Sequence, residues 1–371
     1  MKIVFYSPYF PKHFGGGEKY LLDCITALLE RGRDEVYLAL PTRDFLTQEK
    51  TAIIRQNYQK FCAYDLNKLK IIASPLGTSA SFWQKLFWTK DFDLIYHLTD
   101  GSLFFSLAKK NILHIQVPLS LNKRSVIERL KLKNYQIKNS NSYFTKDYVE
   151  KNWSIKIDFV HQPLVNLNEF PAQKDPSFKK EKIILNVGRF FRQLHSKRQD
   201  VLINLFTRLL KAEPKLLAGW ELHLVGAVED EAYFQEIEKL AKDLPIKIHQ
   251  QIDRASLVKL YQRASIYWQA TGYGLDENKY PSAVEHFGIA PVEAMAAYCV
   301  ALLIAKGGHK EVLGDEFADY LWQSDEDCLK KTISLIKNEQ ERAKVAQGMR
   351  IRAQDFNAER FNQLLFKMID A

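Results

Sequence analysis

Apolar positions along this chain keep two rhythms, one of strands and one of helices, that alternate from end to end. Residues 3–6 form a short β-prone run. After a turn rich in proline and glycine, Tyr20, Leu21, Cys24, Ile25, Leu28 and Leu29 recur at helical spacing, and Arg31-Gly32 closes that helix. Residues 36–40 read as the next strand, so the chain starts as β-loop-α-β, the beginning of a doubly wound sheet. Further strands are expected at 69–73, 94–98, 112–117 and 143–144. The pattern breaks over 166–180, a polar, turn-prone stretch with Pro171, Lys174, Asp175, Pro176 and Lys179, where a domain linker is expected.

Beyond it the alternation resumes. Strands are expected at 183–187, 221–225, 246–250, 265–269 and 300–304, with helices at 199–210, 232–242, 256–263 and 291–297. Consecutive βα units predict mostly parallel sheets with right-handed crossovers, whose ligands bind at the carboxyl ends of the strands. A length of 371 residues favours two domains. The expected division is 1–168, 169–350 and a last segment, 351–371, in which Phe361, Leu364, Leu365 and Met368 form an apolar stripe fit for docking.

Composition narrows the class. Cys24, Cys62, Cys299 and Cys328 are scattered and make no C-x-x-C pair, which points away from a disulfide framework or a zinc knuckle and toward a reducing cytoplasm. The first residues lack the apolar core of a signal peptide, and no run nears the roughly 20 apolar residues of a membrane span, so a soluble or peripheral protein is expected. A net charge of +9 suits nucleic acid, anionic lipid or a phosphorylated substrate. Lys123, Arg124, Arg129, Lys131, Lys133 and Lys138 gather around a single acid, Glu128, with Val126, Ile127, Leu130 and Leu132 interleaved. As a helix this stretch is either a membrane-surface element or a solvated face packed on its own domain.

The candidate chemistry lies in Glu285-His-Phe-Gly-Ile-Ala-Pro-Val-Glu293. Pro291 suits the first helical position, which places Gly288, Ile289 and Ala290 at a helix mouth whose unpaired N–H groups attract a diphosphate. Glu293, in the first turn, would accept ribose hydroxyls, and Glu285 would reach the group beyond the phosphates. The plainer reading makes Glu293 a helix-dipole carboxylate and Glu285 a solvated loop residue.

That string resembles the E-x7-E signature of retaining glycosyltransferases of the type B fold, the family-4 group. Phe14-Gly-Gly-Gly-Glu18, Asn186-Val-Gly-Arg189, Lys197-Arg-Gln-Asp200 and Lys306-Gly-Gly-His309 extend the resemblance in order along the whole chain. It implies two doubly wound Rossmann-like domains facing across a cleft, the GT-B architecture, with the last helix crossing back to the first, acceptor-side domain. It implies transfer of a hexose-type sugar, with retention, from a nucleoside diphosphate sugar to a hydroxyl acceptor: a glycan, a glycolipid or a polysaccharide precursor. Glu285, His114, Arg189 and Lys197 would be catalytic, His114 near the reacting carbon and the two cations on the leaving diphosphate. Gly16, Gly17, Gly188, Arg189, Lys197, Gly288, Ile289 and Glu293 would bind the nucleotide sugar. Arg198 is the lesser cation, and Gly307 and Gly308 would let backbone approach phosphate or sugar or, equally, form an ordinary β-to-α turn.

The E-H-F-G-I form suggests GDP-mannose as donor. No cofactor and no metal are expected, since Arg and Lys replace the metal's task and Asp91-Phe-Asp93 reads as the start of a strand. A cytoplasmic protein is expected, peripheral at the inner face of the membrane, with no nucleic-acid partner. Two departures from the family pattern are Tyr298, where glycine is common, and the long 271–281 insertion, a lid or a surface loop. A sugar-nucleotide epimerase of the same fold and a basic nucleic-acid-binding protein are the alternatives.

Overall fold

Strand formation follows the apolar runs. In the computed structural model, which describes residues 1–8, 10, 15–43, 46–62, 64–119, 125–170, 180–193 and 195–371, two parallel sheets form. Pro171, Lys174, Asp175, Pro176 and Lys179 of the expected linker, with Phe14, Lys123 and Arg124, lie outside the described residues. The chain divides into one unit of Met1–Leu164 with Glu359–Ala371 and a second of Val165–Ala358. The boundaries thus fall at 164/165 and 358/359, where 168/169 and 350/351 were expected.

In the first unit the strands are β1 (Lys2–Tyr6), β2 (Glu35–Pro41), β3 (Lys70–Ser74), β4 (Leu94–Thr99), β5 (Lys110–Ile115), β6 (Ile137–Ser140) and β7 (Phe159–Val160), in the order β3-β2-β1-β4-β5-β6-β7. All six residues of β4 are buried, as a parallel strand covered on both faces must be. Strand order reverses between β1 and β4, and the helix Gly16–Arg31 starts at that switch point.

Tyr143 and Phe144 are not a strand. They open the helix Tyr143–Trp153, because Ser142 ahead of them caps it, its Oγ accepting the Thr145 N–H at 3.0 Å. Val117 falls outside β5, which ends at Ile115. The last helix, Ala358–Asp370, buries Phe361, Leu365, Met368 and Ile369 in this unit's core against Leu21, Leu28 and Ile3, while Leu364 stays half-exposed. Each such side chain stabilises the unit by roughly 1.5–3 kcal/mol relative to exposure.

The second unit contains β8 (Ile183–Val187), β9 (Glu221–Gly226), β10 (Ile246–Gln250), β11 (Ile266–Gln269), β12 (Val300–Ile304) and β13 (Leu321–Trp322), in the order β10-β9-β8-β11-β12-β13. Its switch point lies between β8 and β11. Residues 351–353 complete the helix Glu339–Ala353, which packs on β12 and the helix Ile289–Ala296, so this part of the expected returning segment belongs here. Tyr298 adopts φ +62, the left-handed conformation that explains why glycine would suit its turn.

Lys180, read from sequence as part of the polar linker, is half-buried, with its ammonium turned inward. Its ammonium donates to the carbonyls of Ala297 at 2.5 Å, Ala264 at 2.7 Å and Tyr261 at 3.3 Å, at the C-terminal ends of the helices Arg254–Arg263 and Ile289–Ala296. A cation there satisfies orphan carbonyls and complements two helix dipoles. Lys180→Met should therefore cost about 2–3 kcal/mol. Thermal denaturation monitored by circular dichroism should show a clear loss, and a melting temperature unchanged within about 2 °C would deny Lys180 this role.

Candidate active site

In the second unit the residues singled out by motif gather where β8 and β11 end. Gly188 and Arg189 follow β8, and Lys197 returns over Gly188, where a Cβ would lie 2.4 Å from the Lys197 Cγ. The Lys197 ammonium donates to Glu285 Oε2 at 2.5 Å, with both side chains largely buried. Burial alone would push the Glu285 carboxyl up, yet the Lys197 charge and hydrogen bond, with His309 and His286, bring it down to about 2. Glu285 is therefore an ion-paired carboxylate, not a solvated loop residue.

The turn after β12 holds the Glu285 loop in place. Gly308 N–H donates to the Glu285 carbonyl at 2.8 Å, and a Cβ on Gly307, whose φ is +54, would sit 2.1 Å from that same oxygen. These glycines allow close approach of two protein backbones, and they form the ordinary β-to-α turn that the sequence allowed equally with an approach to phosphate or sugar. Glu277, from the 271–281 insertion, accepts the Gly307 N–H at 2.6 Å and the Lys310 ammonium at 2.5 Å. Arg198 forks onto Asp200 and donates to the Tyr273 carbonyl at 3.1 Å, so it braces the same insertion. Arg189 pairs with Glu229 at 2.8 Å, an exposed pair of small worth that leaves the guanidinium open to exchange.

The helix after Glu285 starts earlier than expected. It spans Ile289–Ala296 with Gly288 as its cap at φ +108, so Pro291 is its third residue and Glu293 its fifth. The N–H groups of Ile289 and Ala290 have no intrahelical partner, as at any helix start. Glu293 is buried beyond the first turn, where Arg254 donates to its Oε1 at 2.7 Å. Arg254 also donates to Glu169 at 2.8 and 2.5 Å. Burial would favour a neutral Arg254, but the two carboxylates raise its pKa further above its ordinary value. Sequence reading missed Arg254 and Glu169: neither lies in a motif, and the pairs join residues 39 and 85 positions apart in the chain.

Three histidines stand close by. The rings of His195 and His286 meet edge to face at 4.5 Å, and His309 Nδ1 hydrogen-bonds the Ile304 carbonyl at 2.9 Å. Burial pushes them down to about 4, 3 and 4 respectively, helped by Lys197 at His195 and by His195 at His286, and opposed by Glu285 at His309. His286 and His309 were visible only as letters within motifs, and His195 carried no signal.

In the first unit Gly16 and Gly17 are the first residues of their helix, with Gly15 as its cap held by Glu18 Oε2 at 2.9 Å. Gly17 faces Leu98 and Gln116. His114, on β5, has no exposed surface: it stacks on Tyr20 at 3.9 Å, and its ring nitrogens are engaged by Asn139 and by Gln116, the latter at 2.6 Å. Burial pulls it down to about 4. A direct contact between His114 and a sugar does not fit this geometry, since strand β5 points the ring into the core, and Gln116 is the group of this set that remains half-exposed. Asp93 accepts the Lys2 N–H at 2.8 Å at the amino end of β4, away from the carboxyl ends where ligands bind.

His97 and His161 are likewise buried and pushed down to about 3. With His114, His195, His286 and His309 they stay neutral in the fold and regain an ordinary value near 6.5 only when unfolded. Below pH 6.5 the unfolded chain therefore binds more protons, and stability falls with falling pH until the folded values near 3 to 4 are reached. Glu285 acts in the same direction but further down, its contribution being lost as pH falls between about 4.5 and 2. The melting temperature should drop between pH 6.5 and 5, each histidine contributing up to about 1.4 kcal/mol per pH unit. A flat profile across that window would contradict the neutral, buried assignment.

Residues 168–352 match the family model for glycosyl transferases group 1. No curated protein matches the chain in sequence. Among solved structures, a glycosyltransferase from Rickettsia africae superimposes with a TM-score of 0.72 at 13% identity, over 99% of this chain and 98% of that one. Anabaena HepE in complex with UDP-glucose gives 0.70 at 16% identity, over 100% and 99%. WaaG, a glycosyltransferase involved in lipopolysaccharide biosynthesis, gives 0.62 at 12% identity, over 98% and 99%. The chain thus has the GT-B fold and carries, in residues 168–352, a domain of the glycosyl transferases group 1 family.

Proposed function

We propose that this protein transfers a hexose, with retention of anomeric configuration, from a nucleoside diphosphate sugar to a hydroxyl of a glycan or glycolipid. The observation that carries the reading is the Lys197–Glu285 pair at the carboxyl end of β8, beside the helix mouth of Gly288, Ile289 and Ala290. The mouth offers free N–H groups to the phosphates, and Glu293, oriented by Arg254, faces the ribose. Glu285, kept ionised, positions the donor sugar. As the bond to the diphosphate breaks, negative charge grows on the leaving group, and Lys197 and Arg189 stabilise it without a metal. The acceptor hydroxyl then attacks the oxocarbenium-like carbon from the face the diphosphate leaves, and its proton passes to an oxygen of the departing diphosphate. The family resemblance gives Gly16 and Gly17 of the first unit to the nucleotide sugar as well.

Nucleotide screening by thermal shift tests the donor class. UDP and GDP, with UDP-glucose and GDP-mannose, are the first arms, because HepE holds UDP-glucose and the E-H-F-G-I string resembles mannosyltransferases. A ligand at 100 times its Kd should add about 2.7 kcal/mol. Absence of any nucleotide-dependent shift would remove the proposal. With the donor known, Arg189→Ala and Lys197→Ala should each slow transfer about a hundredfold or more while weakening nucleoside binding less. Among the described residues Arg189 pairs only with an exposed glutamate, so its variant should fold even if loss of Lys197 unsettles Glu285. Normal turnover in a folded Arg189→Ala protein would exclude it from the phosphate site.

Glu293→Gln should weaken nucleotide binding by about 1.5–3 kcal/mol in calorimetry, the worth of charge-assisted hydrogen bonds. Turnover should also survive EDTA. Loss on chelation that manganese or magnesium restores would show that the cations do not suffice.

A further inference from the structure

Six of the thirteen large apolar side chains that the described residues expose lie on two helices of the first unit. Phe82, Trp83 and Phe87, 53%, 62% and 58% exposed, project from the helix Phe82–Thr89. Val126, Ile127 and Leu130, 72%, 58% and 49% exposed, project from the helix Val126–Lys133. The aromatic rings form a connected set: Phe82 meets Trp83 edge-on at 5.2 Å, Trp83 stacks on Phe87 at 5.9 Å, and Phe82 reaches Phe105 at 6.1 Å. Lys131, from the second helix, lies 6.0 Å over that same Phe105 ring. The connecting loop fixes both helices to one surface. Ser106 exchanges two hydrogen bonds with Asn134 at the end of the second helix, and the Leu107 N–H donates to Thr89 at the end of the first.

The charge on this surface has one sign. Lys85 and Lys90 accompany the aromatic helix, and Arg129, Lys131 and Lys133 the other, and none of them forms an ion pair among the described residues. Of the acids on these two segments, Glu128 is engaged in capping at Ser125 and only Asp91 remains. A row of tryptophan and phenylalanine bordered by lysine and arginine matches a bilayer boundary, where rings enter the acyl margin and ammonium groups reach lipid phosphates. A second copy would instead bring like charges together.

We propose that the face formed by the helices Phe82–Thr89 and Val126–Lys133 docks on an anionic lipid bilayer. The argument rests on the first unit alone and is independent of the sugar-transfer reading, so nucleotide binding and vesicle binding can fail separately. The full chain is sedimented with vesicles of phosphatidylcholine alone and of phosphatidylcholine mixed with phosphatidylglycerol, at low and high salt. Binding to the anionic vesicles that fades with salt is expected, with a blue shift in tryptophan emission. Trp83→Ala/Phe87→Ala and Lys131→Glu/Lys133→Glu should each weaken binding by about tenfold or more. All four side chains are at least partly exposed, so unchanged melting temperatures should confirm intact folds. No sedimentation of the wild type at low salt, or equal sedimentation of wild type and both variants, would overturn the proposal. So would a wild-type dimer in size-exclusion chromatography that Trp83→Ala/Phe87→Ala dissolves, since that assigns the face to a second copy.

Discussion

Burial would neutralise Glu285, and the ammonium of Lys197 at 2.5 Å is what keeps its carboxyl ionised. The surrounding structure serves that pair. Gly188 clears the space in which the Lys197 stem lies, Gly307 and Gly308 let the β12 turn clamp the Glu285 backbone, and Glu277 fastens the turn from the other side. A lone buried carboxylate would be costly and would take up a proton; a lone buried ammonium would lose one. On the proposed reading an arriving diphosphate competes with Glu285 for the same ammonium, so the two anions must share three N–H donors.

The ion pairs of the second unit explain where the net charge of +9 is not. Arg189, Lys197, Arg254 and Lys310 each have a carboxylate partner, so the site is close to balanced and gains its preference for anions from helix N–H groups and exchangeable partners. The basic residues beside the exposed rings of the first unit have no such partners among the described residues. Overall charge therefore says little about the site and more about a surface remote from it in the chain.

Strand positions were legible because buried parallel strands are continuous apolar runs, and β1, β4, β8, β9 and β12 fell where the pattern put them. Tyr143 and Phe144 misled because aromatic residues favour strands, and one Ser142 cap outweighed that preference. The motif order gave the neighbourhood of Glu285, Lys197 and Gly188, since those residues sit at strand ends and turns that the alternation itself locates. It did not give Arg254 as the partner of Glu293, because that contact depends on how two helices pack. Nor did it show that His114 faces the core: in a strand buried on both faces, period-two alternation carries no mark of which side is open.

The helix Ala358–Asp370 belongs to the first unit although the whole second unit intervenes between Leu164 and Glu359. During synthesis the first seven strands emerge early, yet Leu21, Leu28 and Ile3 lack the cover of Phe361, Leu365 and Met368 until nearly 200 further residues have been made. At roughly 5–20 residues per second that interval is on the order of tens of seconds, during which an apolar face waits open. The unit that begins to fold first is therefore closed last, and the second unit, contiguous in sequence, can be complete before it.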